Sequence, residues 1–165
     1  MWLDLSKIIE IPGASAPFET ELDAERLIAG SILGFAGAPT AEGTVTNTAG
    51  ALTLNGSLRA VMHCRCDRCG REFDREKVLK LSIPLAADVE TDDPESDVIA
   101  LEGDGIDVSD LLETSFILNE ETKLLCKPDC KGLCPQCGKD LNEGACGCTK
   151  EPDPRLAVLG QLLDK

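Results

Sequence analysis

Leu52-Thr-Leu-Asn-Gly-Ser-Leu-Arg-Ala-Val-Met-His-Cys-Arg-Cys66, continued by Asp67-Arg68-Cys69-Gly70, is the stretch whose reading decides the fold. Alternate positions Leu52, Leu54, Gly56, Leu58, Ala60, Met62, Cys64 and Cys66 form one mainly apolar row. Thr53, Asn55, Ser57, Arg59, Val61, His63 and Arg65 form the other. A period of two held this long predicts an extended strand with one face buried. Cys66-Asp-Arg-Cys69-Gly70 reads as a turn. Beyond it Leu79, Leu81, Ile83 and Leu85 alternate with Lys80, Ser82 and Pro84, a second strand with Pro84 near its end or at an edge. Before it, Gly43-Thr-Val-Thr-Asn47 and the Ala49-Gly50 break predict a preceding strand joined by a tight turn. The sum is an antiparallel meander whose longest hairpin carries a cysteine pair at its tip.

Working outward, Leu3, Leu5, Ile8, Ile9 and Ile11, broken by Pro12-Gly13, suggest a short N-terminal strand. Residues 19–29 fit a short amphipathic helix or another strand equally well. Gly30 to Gly43 reads as a loop holding at most one short strand. Thr91 to Gly105 is acidic and contains Pro94, so it reads as a flexible loop. Asp107 or Ser109 can cap a helix with Val108, Leu111, Leu112, Phe116 and Ile117 turned inward. Asp153-Pro154 is an N-cap followed by a first-turn proline, and predicts a final helix with Leu156, Leu159 and Leu163 on one face. The expected fold is α+β: mainly an antiparallel β meander or barrel-like sheet, a few short helices and a C-terminal cysteine-rich zinc module. The expected boundaries are 1–122 for the β-rich part, with a helix near 108–120, then 123–150 for the module and 151–165 for the last helix.

Six of the nine cysteines, Cys126, Cys130, Cys134, Cys137, Cys146 and Cys148, crowd into the module. Thiols at short chelating spacings, with glycine after the second cysteine of each Cys-x-x-Cys pair, are most simply read as Zn2+ ligands. Two such knuckles occur, Cys66-Asp-Arg-Cys69-Gly70 and Cys134-Pro-Gln-Cys137-Gly138. One partition joins Cys66 and Cys69 with Cys126 and Cys130, leaving Cys134, Cys137, Cys146 and Cys148 as a local site. A rival partition pairs the two knuckles, and a single zinc is a third option. Spacing alone leaves these open. Cys64 follows the apolar row and reads as a core thiol, and His63, the one histidine, as a surface side chain.

Aromatic residues are only 3% of the 165-residue chain, so the core must rest on Leu, Ile, Val and Ala. No run approaches the length of a membrane span, and no secretory signal is legible at Met1-Trp-Leu-Asp-Leu. These features, with nine thiols in one chain, point to a cytoplasmic protein rather than a disulfide scaffold. The formal net charge of −14 argues against coating nucleic acid by bulk charge. The charge is unevenly spread, however. Leu81 to Thr122 holds thirteen carboxylates and no Lys or Arg, whereas Arg59–Lys80 and Lys123–Lys139 are locally basic. No phosphate loop, nucleophile elbow or His-Glu metal motif is present, and an all-thiolate zinc site is closed and structural. The expectation is a protein that is not an enzyme and has no small-molecule substrate.

The run Cys126-Lys-Pro-Asp-Cys130-Lys-Gly-Leu-Cys134-Pro-Gln-Cys137 through Cys146-Gly-Cys148, the upstream Cys66-Asp-Arg-Cys69 and the terminal Asp153-Pro-Arg-Leu-Ala-Val-Leu159 together resemble the YceD family, bacterial and plastid proteins of the large-ribosomal-RNA accumulation type. The resemblance implies a cytoplasmic, non-enzymatic factor in the accumulation or processing of 23S ribosomal RNA. It carries no role onto Cys64. Partners expected on this basis are a large-subunit ribosomal protein, received by the acidic 88–121 stretch, or pre-ribosomal RNA, touched by Arg65, Arg68, Arg71, Lys127 and Lys131. The competing expectation is a redox-sensing zinc protein whose thiols release metal on oxidation. A thioredoxin-like reading fits poorly, because its Cys-x-x-Cys should open a helix rather than join antiparallel strands.

Overall fold

The structure, a computed structural model, describes residues 1–87 and 98–148. In chain order the elements are β1 (Trp2–Asp4), α1 (Ser6–Ile9), β2 (Ser15–Glu21), α2 (Ala24–Leu27), β3 (Ile32–Phe35), β4 (Thr40–Thr48), β5 (Ala51–Arg65), β6 (Glu72–Ala86), β7 (Ile99–Ala100), β8 (Gly105–Asp107) and α3 (Val108–Leu118). The main sheet runs β2-β4-β5-β6-β7, with β3 pairing the far half of β5. β1 and β8 form a separate antiparallel pair.

The alternating row read from the sequence becomes the buried face of β5. Leu52, Leu54, Leu58, Ala60, Met62 and Cys64 all lie in the core, joined by Val45 and Ala41 from β4 and Phe18 from β2. The β4–β5 turn has two residues, Ala49 (φ 53) and Gly50 (φ 95), closed by the Thr48–Ala51 pair. Positive φ at both centres matches the right-handed twist of the flanking strands. Asn47, buried beside this turn, uses its amide fully. It donates to the carbonyls of Ile8 (2.7 Å) and Ile9 (2.8 Å) and accepts from the Gly50 N–H at 2.8 Å. A buried amide satisfied in this way sews α1 to the hairpin. In mid-sheet Gly43 faces Gly56, and the Phe18 ring occupies the space their missing side chains leave.

The sheet is open, not barrel-like. Its end strands do not meet, because α3 covers the apolar face and closure is not needed to bury it. Phe116 of α3 meets Phe35 of β3 with ring centroids 6.2 Å apart. The helix buries the line Val108, Leu112, Phe116, spaced by four residues. Ile117, expected inward, lies off that line and is 47% exposed. Glu113, which polarity hides from any sequence reading, is buried instead. Its carboxylate lies 2.6 Å from Arg26 Nη1 and accepts the Asp23 N–H at 3.0 Å, tying α2 to α3. Asp107 caps the helix, accepting from the Asp110 N–H.

Other elements also differ from expectation. The N-terminal stretch is a strand followed by a helical turn, initiated where Asp4 accepts the Ser6 N–H. Residues 19–29 combine both options: β2 runs to Glu21 and α2 follows, capped by Asp23. β6 starts at Glu72, well before Leu79, in a charged half that apolar alternation cannot reveal. Within the stretch expected to be a loop, Ile99–Ala100 pairs in parallel with Leu85–Ala86. The 91–97 part of that loop and the expected helix at 151–165 lie outside the described residues.

A Cβ added at Gly43 would sit 2.4 Å from the Asn55 carbonyl oxygen and 2.5 Å from the Phe18 ring, with backbone on one side and a buried ring on the other. Gly43→Ala is therefore expected to cost about 2–3 kcal/mol in urea unfolding, as overpacked cores do. Gly34→Ala, where nothing lies within 4 Å, should change stability far less.

Candidate metal centres

Two turns with the same local design present the thiols. In the first, Cys66 N–H donates to the Arg71 carbonyl (2.8 Å) and Gly70 N–H to the Cys66 carbonyl (2.9 Å). In the second, Cys134 N–H donates to the Lys139 carbonyl (2.9 Å) and Gly138 N–H to the Cys134 carbonyl (2.9 Å). Gly70 and Gly138 both have φ 71, a backbone state that glycine adopts at no steric cost. The reversal leaves the N–H groups after the first cysteine aimed at its sulfur.

The fold gathers eight thiols into two groups that can each hold a metal ion. One comprises Cys66, Cys69, Cys126 and Cys130; the other Cys134, Cys137, Cys146 and Cys148. Within each group the sulfurs lie within 4.8 Å of one another. In the first, Cys66 Sγ is 3.8 Å from Cys130 Sγ and Cys69 Sγ is 3.7 Å from Cys126 Sγ. This group is mostly buried and packed by Phe73 and Leu125, whereas Cys137 and Cys148 of the second are exposed. All nine cysteines are free thiols. Cys64 is fully buried on the core face of β5, and burial first of all raises its thiol pKa.

Electrostatics sort the thiols. Burial alone would push Cys66 up, but the N–H groups of Cys126, Cys69 and Arg68 outweigh it and bring the thiol from 9.0 to about 6. Backbone N–H groups of Cys137 and Gln136 bring Cys134 from 9.0 to about 6 in the same way. Burial, then the neighbouring sulfurs of Cys66, Cys69 and Cys130, push Cys126 up to about 12. The Cys137 thiol, then burial, push Cys148 up to about 12. Each group thus holds one readily formed thiolate and one thiol that stays protonated unless a cation compensates the crowded charge.

Polar residues outside the thiols fix the two groups against the sheet and each other. Asp67 clamps the first knuckle: its backbone N–H donates to the Leu124 carbonyl at 2.9 Å, and its carboxylate accepts the Leu124 N–H at 2.5 Å and the Ser31 hydroxyl. Asn142, from the loop between Cys137 and Cys146, donates to Cys130 Sγ at 3.4 Å and accepts the Lys131 N–H at 2.9 Å. Gly132 sits against the Arg68 backbone, where a Cβ would approach the carbonyl oxygen to 2.9 Å. The neighbouring Leu133 N–H donates to that same carbonyl. Neither Asp67 nor Asn142 stands out in the sequence. Each is one polar residue among others in a turn, and only the pairing of distant segments reveals what it holds.

Three of the five basic side chains singled out from the sequence are engaged inside the chain. Arg65 pairs with Glu72 at 3.2 Å, Arg68 donates to the Cys130 carbonyl at 2.8 Å, and Arg71 reaches Asp140 (3.2 Å) and Glu143 (3.3 Å). Lys127 and Lys131 have no side-chain ion pair among the described residues. Lys127 lines a cleft of about 420 Å³ beside the first thiol group, with Phe73, Arg75, Lys123 and Pro128 among its walls. Much of the described acidic stretch is likewise paired: Asp107 with the N-terminus, Asp110 and Glu113 with Arg26, Glu120 with Lys77, and Glu121 with Arg75. His63 lies on the surface between Asp74 (2.8 Å) and Glu72 (3.3 Å), which raise its pKa in that order.

The family profile described as "Large ribosomal RNA subunit accumulation protein YceD" matches residues 54–163. A protein of Zea mays named "Large ribosomal RNA subunit accumulation protein YCED homolog 1, chloroplastic" is 27% identical over 138 residues, covering 66% of this chain and 47% of that protein. The chain spans about half the length of this curated relative, at 47%. No solved structure matches the chain. Among the described residues no helix is long and apolar enough to cross a membrane.

The thiol pKa values fix a proton balance. Because Cys66 and Cys134 are lowered, their thiolates favour the folded knuckles fully above the ordinary value of 9.0, and that contribution is lost as pH falls through about 6. Cys126 and Cys148, near 12 without metal, must give up protons to become ligands. Calorimetric titration of metal-free protein at pH 7, in buffers of different ionisation enthalpy, should show at least one proton released per ion bound. Affinity should fall as pH drops.

Proposed function

The chain belongs to the YceD family, and on that basis we propose that it supports accumulation of the large-subunit (23S) ribosomal RNA by binding rather than by catalysis. In this reading each four-cysteine group holds one zinc ion. The observation that carries the metal is the donor set: two closed groups of four sulfurs. With Zn–S bonds of about 2.3 Å, a tetrahedron has S···S edges of about 3.8 Å. The separations of 3.8 and 3.7 Å in the first group suit that edge length. Cys66, Cys69, Cys126 and Cys130 would hold one ion and Cys134, Cys137, Cys146 and Cys148 the other. Four thiolates complete the coordination and leave no open position for a substrate, which favours a structural metal and a non-enzymatic role.

In this reading the charges without an ion pair among the described residues are taken as the binding surface. Lys127 and Lys131 carry the RNA contact in this proposal. Arg65, Arg68 and Arg71 are held by internal partners and contribute to the local positive field rather than to direct phosphate contacts. A basic ribosomal protein is the partner proposed for the acidic 88–121 stretch, of which Glu102 and Asp104 are described without an ion pair. A cytoplasmic location belongs to the same proposal, since four-thiolate metal sites suit a compartment that keeps thiols reduced. One observation favours a second reading, redox sensing: Cys137 and Cys148 are exposed, so oxidant would reach the distal group first. Zinc retained with all thiols reduced after mild peroxide treatment would exclude it.

Elemental analysis of natively purified protein is expected to give two zinc ions per chain, and less than one would overturn the metal assignment. In filter binding to pre-ribosomal RNA fragments, Lys127→Glu with Lys131→Glu should weaken binding across sequences and lower the salt slope by roughly one per lost phosphate contact. Unchanged binding would remove the RNA role from this surface.

A further inference from the structure

β6 has two edges in very different states. Along one, β5 pairs it continuously from Glu72 to Leu85. Along the other, β7 pairs only Leu85 and Ala86, so Glu72 to Pro84 has no strand partner among the described residues. A long edge of unpaired N–H and C=O groups is a template for another strand. Proteins often guard such edges with inward-pointing charges, and β6 has Arg75 and Lys77 on its inner face. Both are engaged within the chain: Arg75 with Glu121, and Lys77 with Glu120 and the Asn119 carbonyl, its ammonium 4.6 Å from the Phe116 ring centroid.

The outer face of the same strand presents Glu72, Asp74, Glu76, Val78, Lys80 and Ser82, all exposed. Glu72 is held by Arg65 and His63, and Asp74 by His63. Glu76 and Lys80 have no ion pair among the described residues. These two unmatched charges are opposite in sign and sit symmetrically about Val78, an apolar side chain that is 46% exposed. We propose that β6 pairs antiparallel with β6 of a second copy of this chain, about a two-fold axis through Val78. That register sets Val78 against the partner's Val78 and each Glu76 against the partner's Lys80, opposite-charge cross-strand neighbours on one face. On the other face Phe73 meets the partner's Ile83. An axis at Lys77 would instead set Glu76 against the partner's Val78 and Asp74, already held by His63, against the partner's Lys80; an axis at Leu79 would set Glu76 against Ser82 and Val78 against Lys80. The −14 charge of each chain opposes association at low salt, but at physiological ionic strength it is screened beyond about 8 Å.

The test is analytical ultracentrifugation of the full metal-loaded chain at physiological ionic strength over a wide concentration range. The wild type should show a concentration-dependent dimer. Lys80→Glu and Glu76→Lys should each weaken it about tenfold or more, since two pairs become repulsive in each dimer. The exchange Glu76→Lys with Lys80→Glu should restore it. Unchanged metal content and far-ultraviolet circular dichroism in every variant show that the fold is intact. A wild-type chain monomeric throughout, or a dimer indifferent to both single reversals, would overturn the proposal. An edge covered by an extended peptide of another protein would give the monomeric outcome.

Discussion

The contact between the tip of the β5–β6 hairpin and the segment at Cys126 and Cys130 is the constraint on which the cysteine-rich segment 123–148 depends. Residues 123–148 bring almost no core of their own. Leu124 is buried, but Leu133 is 45% exposed, and the remaining buried side chains are cysteines. Burial of a few apolar groups cannot repay the backbone entropy of ordering so long a segment. Four sulfurs drawn from both partners, set at separations near 3.8 Å, can do so once a cation neutralises them. The Asp67–Leu124 hydrogen bonds then fix the angle at which the module meets the sheet.

The two thiol groups are not independent. Asn142 lies in the loop of the distal group yet donates to a sulfur of the proximal one, and Arg71 beside the first knuckle holds Asp140 and Glu143 beside the second. Gly132 presses on the Arg68 carbonyl between them. Positive charge near the knuckles is therefore mostly spent on this internal stitching. Among the described residues Lys123, Lys127 and Lys131 have no side-chain ion pair, and Lys123 and Lys127 line one cleft beside the proximal group. This distribution separates basic residues with partners inside the chain from those without one among the described residues. A count of basic residues in the sequence merges the two.

Much of this was legible in the chain because it obeys local rules. The β5 alternation, the Ala49-Gly50 turn and the two Cys-x-x-Cys-Gly turns each follow from short-range chemistry. The charged half of β6 was not legible, since Glu72 to Lys77 carries no apolar period and is held extended by pairing with β5. Sheet closure was also beyond the sequence: whether a meander curls into a barrel depends on what covers its apolar face, here α3. The grouping of thiols was open among several partitions because spacing constrains only neighbours within a turn. Asp67, Asn142 and Glu113 were invisible for the same reason. Each acts on a segment distant in sequence, and its type alone signals only solvent-exposed polarity.

Hydrogen exchange followed before and after metal chelation tests the central claim most directly. If the proximal thiol group is what holds the module to the hairpin, chelation should release the amides of Asp67, Leu124 and Leu133 together while those of Val45 and Leu54 in the sheet stay protected. Amides of the first set that keep their protection without metal would contradict it.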